Sequence, residues 1–184
     1  MKKAKPQFLR IGEDGQELDE FLFCAKALSK DKRDMRPHVK FLFITPDNRV
    51  LGTNGKRLHA FKTERELESG YYEVVRAQKQ SFVMVKTDDK KEYPEFEKIL
   101  DTTGFETIFK NAYDVHEFDV FAKIVRFLDE NRSVNLDYVR DVLMTCKKKL
   151  TILWKWNVLM KNGDEMIIME NDSCIAVIMP VIIE

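Results

Sequence analysis

The chain has 184 residues, of which 44% are hydrophobic and 34% charged, a composition that supports a buried core and excludes a disordered polypeptide. Lys+Arg and Asp+Glu both total 31, so the net charge is zero and any contact with nucleic acid has to come from a local patch. The three cysteines, Cys24, Cys146 and Cys174, are dispersed through apolar stretches, the pattern of reduced thiols in a cytoplasmic protein rather than of a disulfide framework.

The opening MKKAKPQFLRIGEDG has no apolar run of signal-peptide length, and no segment is long and uncharged enough to span a membrane. PQFLRIGEDGQ reads as a short strand and a turn. ELDEFLFCAKALSKDK reads as a helix with Leu18, Phe21, Leu22, Ala25 and Leu28 on one face. Lys26 and Lys30 fall on the other face, together with Phe23, where a simple amphipathic helix would carry a polar residue. MRPHVKFLFITPDNRVLGT predicts two strands joined at TPDN, KRLHAFKT a third, and GYYEVVRAQKQSFVMVKT a hairpin around AQKQ.

DDKKEYPEFEKILDTTG interrupts this β pattern with charge, a proline and a glycine, and is the expected junction. Beyond it, residues 101–132 have a strongly helical pattern, with Phe118, Phe121, Ile124, Val125 and Leu128 forming a broad apolar arc. SVNLDYVRDVLMTCKKK combines a short extended piece with a helix whose inner face is Leu136, Val139, Leu143 and Cys146. LTILWKWNVLM, EMIIMEN and CIAVIMPVII are three closing strands, with KNGDE and NDS as their turns. The order, helix then antiparallel strands and again helices then strands, predicts an α+β fold with helices packed on antiparallel sheet in two similar halves. The expected organisation is one domain over 1–184, or two condensed halves, 1–100 and 101–184.

Signatures of catalysis are lacking. There is no Gly-rich phosphate loop and no nucleophile elbow, and His38, His59 and His116 are scattered without metal-ligand spacing. The carboxylates lie in mixed-charge runs of the kind found on solvated faces. Cys24 and Cys146 sit on apolar helix faces as inert thiols. No enzyme, metal or cofactor is expected.

Three segments, in order, carry a resemblance. GTNGKRLHAF resembles the Thr-Asp-Gly-x-Arg-Leu motif of bacterial DNA sliding clamps, the β subunit of DNA polymerase III, with Asn54 in place of its Asp. EYPEFEKIL is similar to the family's Tyr/Phe-Pro-x-Tyr/Phe-x-x-Val/Ile segment, and AVIMPVII to its C-terminal Val-Met-Pro-Met-x-Leu. ALSKDKRDMRPHVKFLFI and SVNLDYVRDVL resemble further stretches of the clamp. The matches together run from about Leu18 to Ile183, in a chain shorter than the usual three-domain clamp. The resemblance implies a clamp-like fold of a divergent, phage or mobile-element kind.

It further implies a groove for short peptide tails of polymerases and other replication or repair proteins. Thr53, Gly55, Lys56, Arg57 and Leu58 would form one side, Pro94 and Ile99 a wall, and Met179, Pro180 and Val181 a C-terminal lip. Arg57 would either fix the pocket or meet a peptide carboxylate. The alternative local reading is that Arg57 and Leu58 simply begin a strand, and that MPVII is an edge strand interrupted by its proline. For double-stranded DNA the resemblance offers Lys26, Lys30, Lys32 and Arg33 around the first helix, and Arg140, Lys147, Lys148 and Lys149 around the later one. CKKKL is equally a solvated helix C-terminus complementing the macrodipole. A clamp ring closes from six similar domains, so a one-domain chain would need a homo-hexamer and a two-domain chain three copies. The expected functions are therefore a replication accessory protein that tethers partners, or a clamp-fold interaction module or inhibitor that forms no ring. An unrelated enzyme is the third alternative.

Overall fold

The computed structural model describes residues 8–11, 16–88, 92–109, 117–128, 132–145, 157–160 and 166–182. Its contacts divide the chain into two compact units, Met1–Pro94 and Glu95–Glu184. The architecture is α+β, with antiparallel strands and helices in each unit.

In the first unit, β1 (Phe8–Ile11), β2 (Leu42–Ile44), β3 (Arg49–Thr53), β4 (Arg57–Lys62), β5 (Gly70–Gln78) and β6 (Ser81–Lys86) form an antiparallel sheet in the order β1-β6-β5-β2-β3-β4. The TPDN turn joins β2 to β3, with Asn48 in the left-handed region at φ 62°, where an Asn is tolerated. A short helix α2 (Pro37–Lys40) precedes β2, in a stretch that reads as strand from sequence; Pro37 at its start has the fixed φ that favours a first helical turn.

The helix α1 (Gln16–Lys26) packs on this sheet and is tied along its length to β4 and the residues just after it. At its N-terminus the Glu17 carboxylate accepts bonds from Arg65 Nε at 2.8 and 2.7 Å and from Thr63 Oγ1 at 2.9 Å. In its middle, Phe23 stacks on His59 with centroids 4.1 Å apart, and His59 Nδ1 donates to the Phe23 carbonyl at 2.7 Å. At its C-terminus the Arg57 guanidinium donates to the carbonyl of Lys26. Leu18, Phe21, Phe23, Cys24 and Ala27 are all fully buried, whereas Leu22, Ala25 and Leu28 are only half-buried. The expected single face is therefore too narrow and rotated, because β4 supplies an apolar and aromatic partner for Phe23. The Glu17–Arg65 pair is partly exposed, so Arg65→Ala should lower stability by only about 1 kcal/mol, with the loss shrinking in high salt; urea midpoints at two ionic strengths check this.

In the second unit, β7 (Glu106–Phe109), β9 (Asn157–Met160), β10 (Ile167–Glu170) and β11 (Cys174–Ile178) form an antiparallel sheet in the order β11-β10-β9-β7. Residues 101–132 are not helical throughout: β7 stands within them, and helix α3 spans Glu117–Phe127. Thr107 and Ile108 are β-branched, and Gly104 at φ 80° turns the chain before them, a local signal outweighed in the sequence by the helical periodicity that follows.

The buried residues of α3 are Val120 and Ile124, one turn apart and facing β7 and the helix α4 (Leu136–Thr145). Phe118 and Val125, expected inside, are 52% and 40% exposed. In α4 the inner residues are Val139, Val142 and Leu143, Leu136 is half-buried, and Cys146 lies outside the described residues. CIAVIMPVII is not one strand either. β11 ends at Ile178, and β12 (Val181–Ile182) resumes in a separate two-stranded ladder with β8 (Arg132–Ser133). Pro180 between them has no N–H to continue the ladder.

Candidate functional site

The segment Thr53–Leu58 is a tight turn organised by its own polar atoms. Thr53 Oγ1 donates to the Arg57 carbonyl at 2.6 Å and accepts from Gly55 N at 3.0 Å. Asn54 Oδ1 accepts from the backbone N–H groups of Lys56 and Arg57, both at 3.0 Å. Asn54 is thus a turn-former, and a short side-chain acceptor is what the position uses. Gly55 has φ +84°, and a Cβ placed on it would meet, among the described residues, only Arg36 Nη1 and Nη2, at 3.8 and 3.9 Å. The turn therefore presents bare backbone, with an arginine beside it.

Within this turn the candidate residues divide sharply. Gly55 and Lys56 are exposed and Thr53 is half-buried, but Arg57 and Leu58 are both 6% exposed. Arg57 donates its guanidinium to the Lys26 carbonyl in the last turn of α1, where carbonyls are not used by the helix itself. Of the two roles expected for Arg57, the bond to the end of α1 is the geometry of the first, fixing the pocket.

Pro94 is exposed at the end of the first unit. Its neighbour Tyr93 stacks on Phe43 at 4.6 Å, with Tyr71 6.0 Å and His38 6.4 Å away, and Tyr71 Oη donates to the Glu92 carbonyl at 3.3 Å. Burial pushes the Tyr93 phenol far above its ordinary pKa. This aromatic cluster moors the connecting segment to β2 and β5; Tyr93 opens the Tyr/Phe-Pro motif, from which the sequence reading takes only Pro94 and Ile99 as groove residues. In the second unit, Ile99 is half-buried in a turn, and Met179, Pro180 and Val181 form the break between β11 and β12. Met179 is 36% and Val181 41% exposed, so both present apolar surface. Each set of groove residues is accordingly a local feature of its own unit.

The candidate DNA-contacting residues show mixed surroundings. Lys30, Lys32 and Arg33 are exposed and Lys26 is half-buried. Arg33 Nε lies 3.4 Å from Asp31, and Arg140 Nη1 lies 2.9 Å from Asp137, so two of these cations already face carboxylates. Lys147, Lys148 and Lys149 lie outside the described residues. Elsewhere, Cys24 is fully buried, with burial pushing its thiol well above the ordinary value, and its Sγ approaches the Val50 and His59 carbonyls at 3.4 and 3.5 Å. That is the environment of a core thiol. Among the described residues no group of three His, Cys, Asp or Glu converges as a metal site, and no helix is long and apolar enough to cross a membrane.

An antiparallel α+β chain with these turns falls into a recognisable structural class. No protein-family model matches the sequence, and no curated protein matches it. Solved structures do. The DNA polymerase sliding clamp from Pseudomonas aeruginosa superimposes with a TM-score of 0.62 at 12% identity, over 97% of this chain and 68% of that one. DNA polymerase III subunit beta from Borrelia burgdorferi gives 0.61 at 12% identity, over 98% and 65% of the two chains. The Helicobacter pylori beta clamp bound to a DNA ligase peptide gives 0.54 at 13% identity, over 98% and 67%.

The fold is thus that of the DNA polymerase III beta sliding clamps, in a chain that spans about two thirds of their length. At this identity the likeness defines the fold, and the protein is a divergent, clamp-like one.

Proposed function

We propose that this protein is a non-enzymatic replication accessory factor that tethers partner proteins through a groove for short peptide tails. The observation that carries the reading is the fold likeness to sliding clamps, one of them bound to a DNA ligase peptide. It is supported by the exposed turn at Gly55–Lys56 and by the exposed Met179 and Val181, which lie on the segments whose sequences resemble the clamp motifs. Met179 is unbranched and adaptable, suited to receiving Leu or Phe anchors, while Gly55 lets a peptide backbone come close. The candidate contacts on this reading are, in the first unit, Thr53, Gly55, Lys56 and Pro94, with the buried Arg57 and Leu58 behind the turn, and, in the second unit, Ile99, Met179, Pro180 and Val181. Tethering raises the local concentration of a polymerase or repair factor at its substrate.

Titration of a fluorescent polymerase-tail peptide with a Leu/Phe anchor tests the groove. Binding to the native protein should weaken by about fivefold in Met179→Ala, the loss of one partly buried apolar contact. Equal affinity for both proteins, or binding to neither, removes the assignment.

A second reading, a clamp-fold interaction module or inhibitor that neither closes a ring nor holds DNA, is favoured by the pairing of Arg33 and Arg140 with aspartates. Solution mass separates the two. A protein that stays monomeric at micromolar concentration, with or without DNA, leaves the module.

A further inference from the structure

If a peptide tail occupies the Gly55 turn, the cation it meets there is not the one the sequence motif highlights. Arg57 is buried and committed to the end of α1. Arg36 is the guanidinium that reaches the turn from outside: beyond the residues flanking Gly55, its Nη1 and Nη2 are the described atoms that a Cβ on Gly55 would meet, at 3.8 and 3.9 Å. Its side chain is 57% exposed.

Arg36 is also held in place. Asp34 takes its Nε at 3.0 Å and its Nη2 at 2.7 Å, a two-point grip on one edge of the guanidinium fork, and Asp34 Oδ1 accepts the Arg36 backbone N–H at 3.1 Å. The hydrogen bonds from Arg36 hold the Asp34 carboxyl well below the usual carboxylate range, so the grip persists through the physiological range. A guanidinium carries five N–H donors, and Asp34 uses those along one edge. Among the described residues the Nη1 edge, the one nearest Gly55, meets no other carboxylate. The Lys56 ammonium, one residue beyond Gly55, adds a second exposed charge on the same turn.

We infer that Arg36, oriented by Asp34, is a specificity-determining residue for peptide tails and selects those that bring a carboxylate to the Gly55 turn. This rests on the groove reading above and deepens it by naming the class of tail. A carboxylate suits the site better than a run of nucleic-acid phosphates. Asp31 and Asp34 interleave with Lys30, Lys32, Arg33 and Arg36, so the loop offers one directed donor edge rather than a continuous positive field. The carboxylate would come from an Asp or Glu side chain or from the free C-terminus of the tail, two sources with the same chemistry.

The test uses full-length protein and tail peptides with one Leu/Phe anchor in matched forms. One pair carries Asp or Asn next to the anchor with an amidated terminus; the other has neither residue and a free or amidated terminus. The native protein should prefer the carboxylate member of one pair by about fivefold, the scale of a well-oriented exposed ion pair, and the pair showing the preference identifies the source. Arg36→Gln should abolish that preference, binding the two members of the pair with equal affinity, and Asp34→Asn should reduce it. Arg36→Lys should keep only part of it, since a point charge replaces the fork. Charge-independent binding by the native protein, or a preference that survives in Arg36→Gln, overturns the inference and leaves the groove standing. Displacement of the peptides by duplex DNA that Arg36→Gln weakens would reassign the residue to DNA and also overturn it. If no tail binds at all, the groove reading falls and takes this inference with it.

Discussion

Gly52→Ala should be among the most damaging single-methyl additions to this protein, lowering stability by about 3 kcal/mol or more. Gly52 lies in β3 opposite His59 of β4, and α1 runs directly over it. A Cβ there would stand 2.2 Å from the Cys24 carbonyl oxygen, 3.0 Å from its carbonyl carbon and 3.2 Å from Leu42 Cδ2. Added bulk in a packed core costs about 1–3 kcal/mol when side chains can rearrange. Here the closest obstruction is main chain, inside a helix tied to β4 at Phe23 and Lys26 and to the residues just after β4 at Glu17, so α1 must lift or β3 must bend. Either movement separates Phe21 from Phe61 and Phe82, which now lie 5.0 and 5.4 Å away, centroid to centroid. In urea unfolding the midpoint should fall accordingly, and the melting temperature should drop by roughly 6–12 °C for a chain of this size. A Cys24→Ala background should give no rescue, because the atoms in the way belong to the backbone. Rescue would place the conflict in the side chains and refute the account.

Gly52 also shows what is and is not legible in such a sequence. A glycine inside a strand pattern signals close backbone approach, yet in GTNGKRLHAF the second glycine draws the eye because it sits in the turn. The strands of the first unit read directly from alternation and turn chemistry, as do α1, α4 and the closing strands, since each depends on contacts close in sequence. The rest depends on partners distant in sequence. Phe23 looks misplaced on its helix until His59 arrives from 36 residues away. The α3 arc is read too broadly because, among its described residues, only Val120 and Ile124 are buried, and β7 itself pairs with β9 across a long stretch of chain. The fold class and its clamp likeness are therefore readable from motifs spread along the chain. That Arg57 is buried while Arg36 stays exposed beside the turn is not, because nothing in the local sequence says which guanidinium points inward.

That contrast makes the second large expectation, at Arg57. Arg57→Ala should destabilise the protein by about 2 kcal/mol, because it removes a charged donor from a part-buried carbonyl at the end of α1. The Thr53–Arg57 turn itself should persist, since its bonds use the Arg57 backbone, which Ala retains. Arg57→Lys should recover only part of the loss, because one ammonium on a flexible stem replaces a planar fork. A residue that fixes the site and a residue that grips the ligand then separate experimentally. In Arg57→Ala, hydrogen exchange should rise in the last turn of α1, and tail affinity measured well below the melting temperature should change by less than about twofold, near the limit of an exposed contact. In Arg36→Gln the pattern should reverse, with α1 protection intact and acid preference lost. If Arg57→Ala instead removes tail binding while α1 stays protected and the urea midpoint holds, then Arg57 turns outward to the ligand in the working protein. The helix-end bond would then be a resting arrangement that peptide binding replaces.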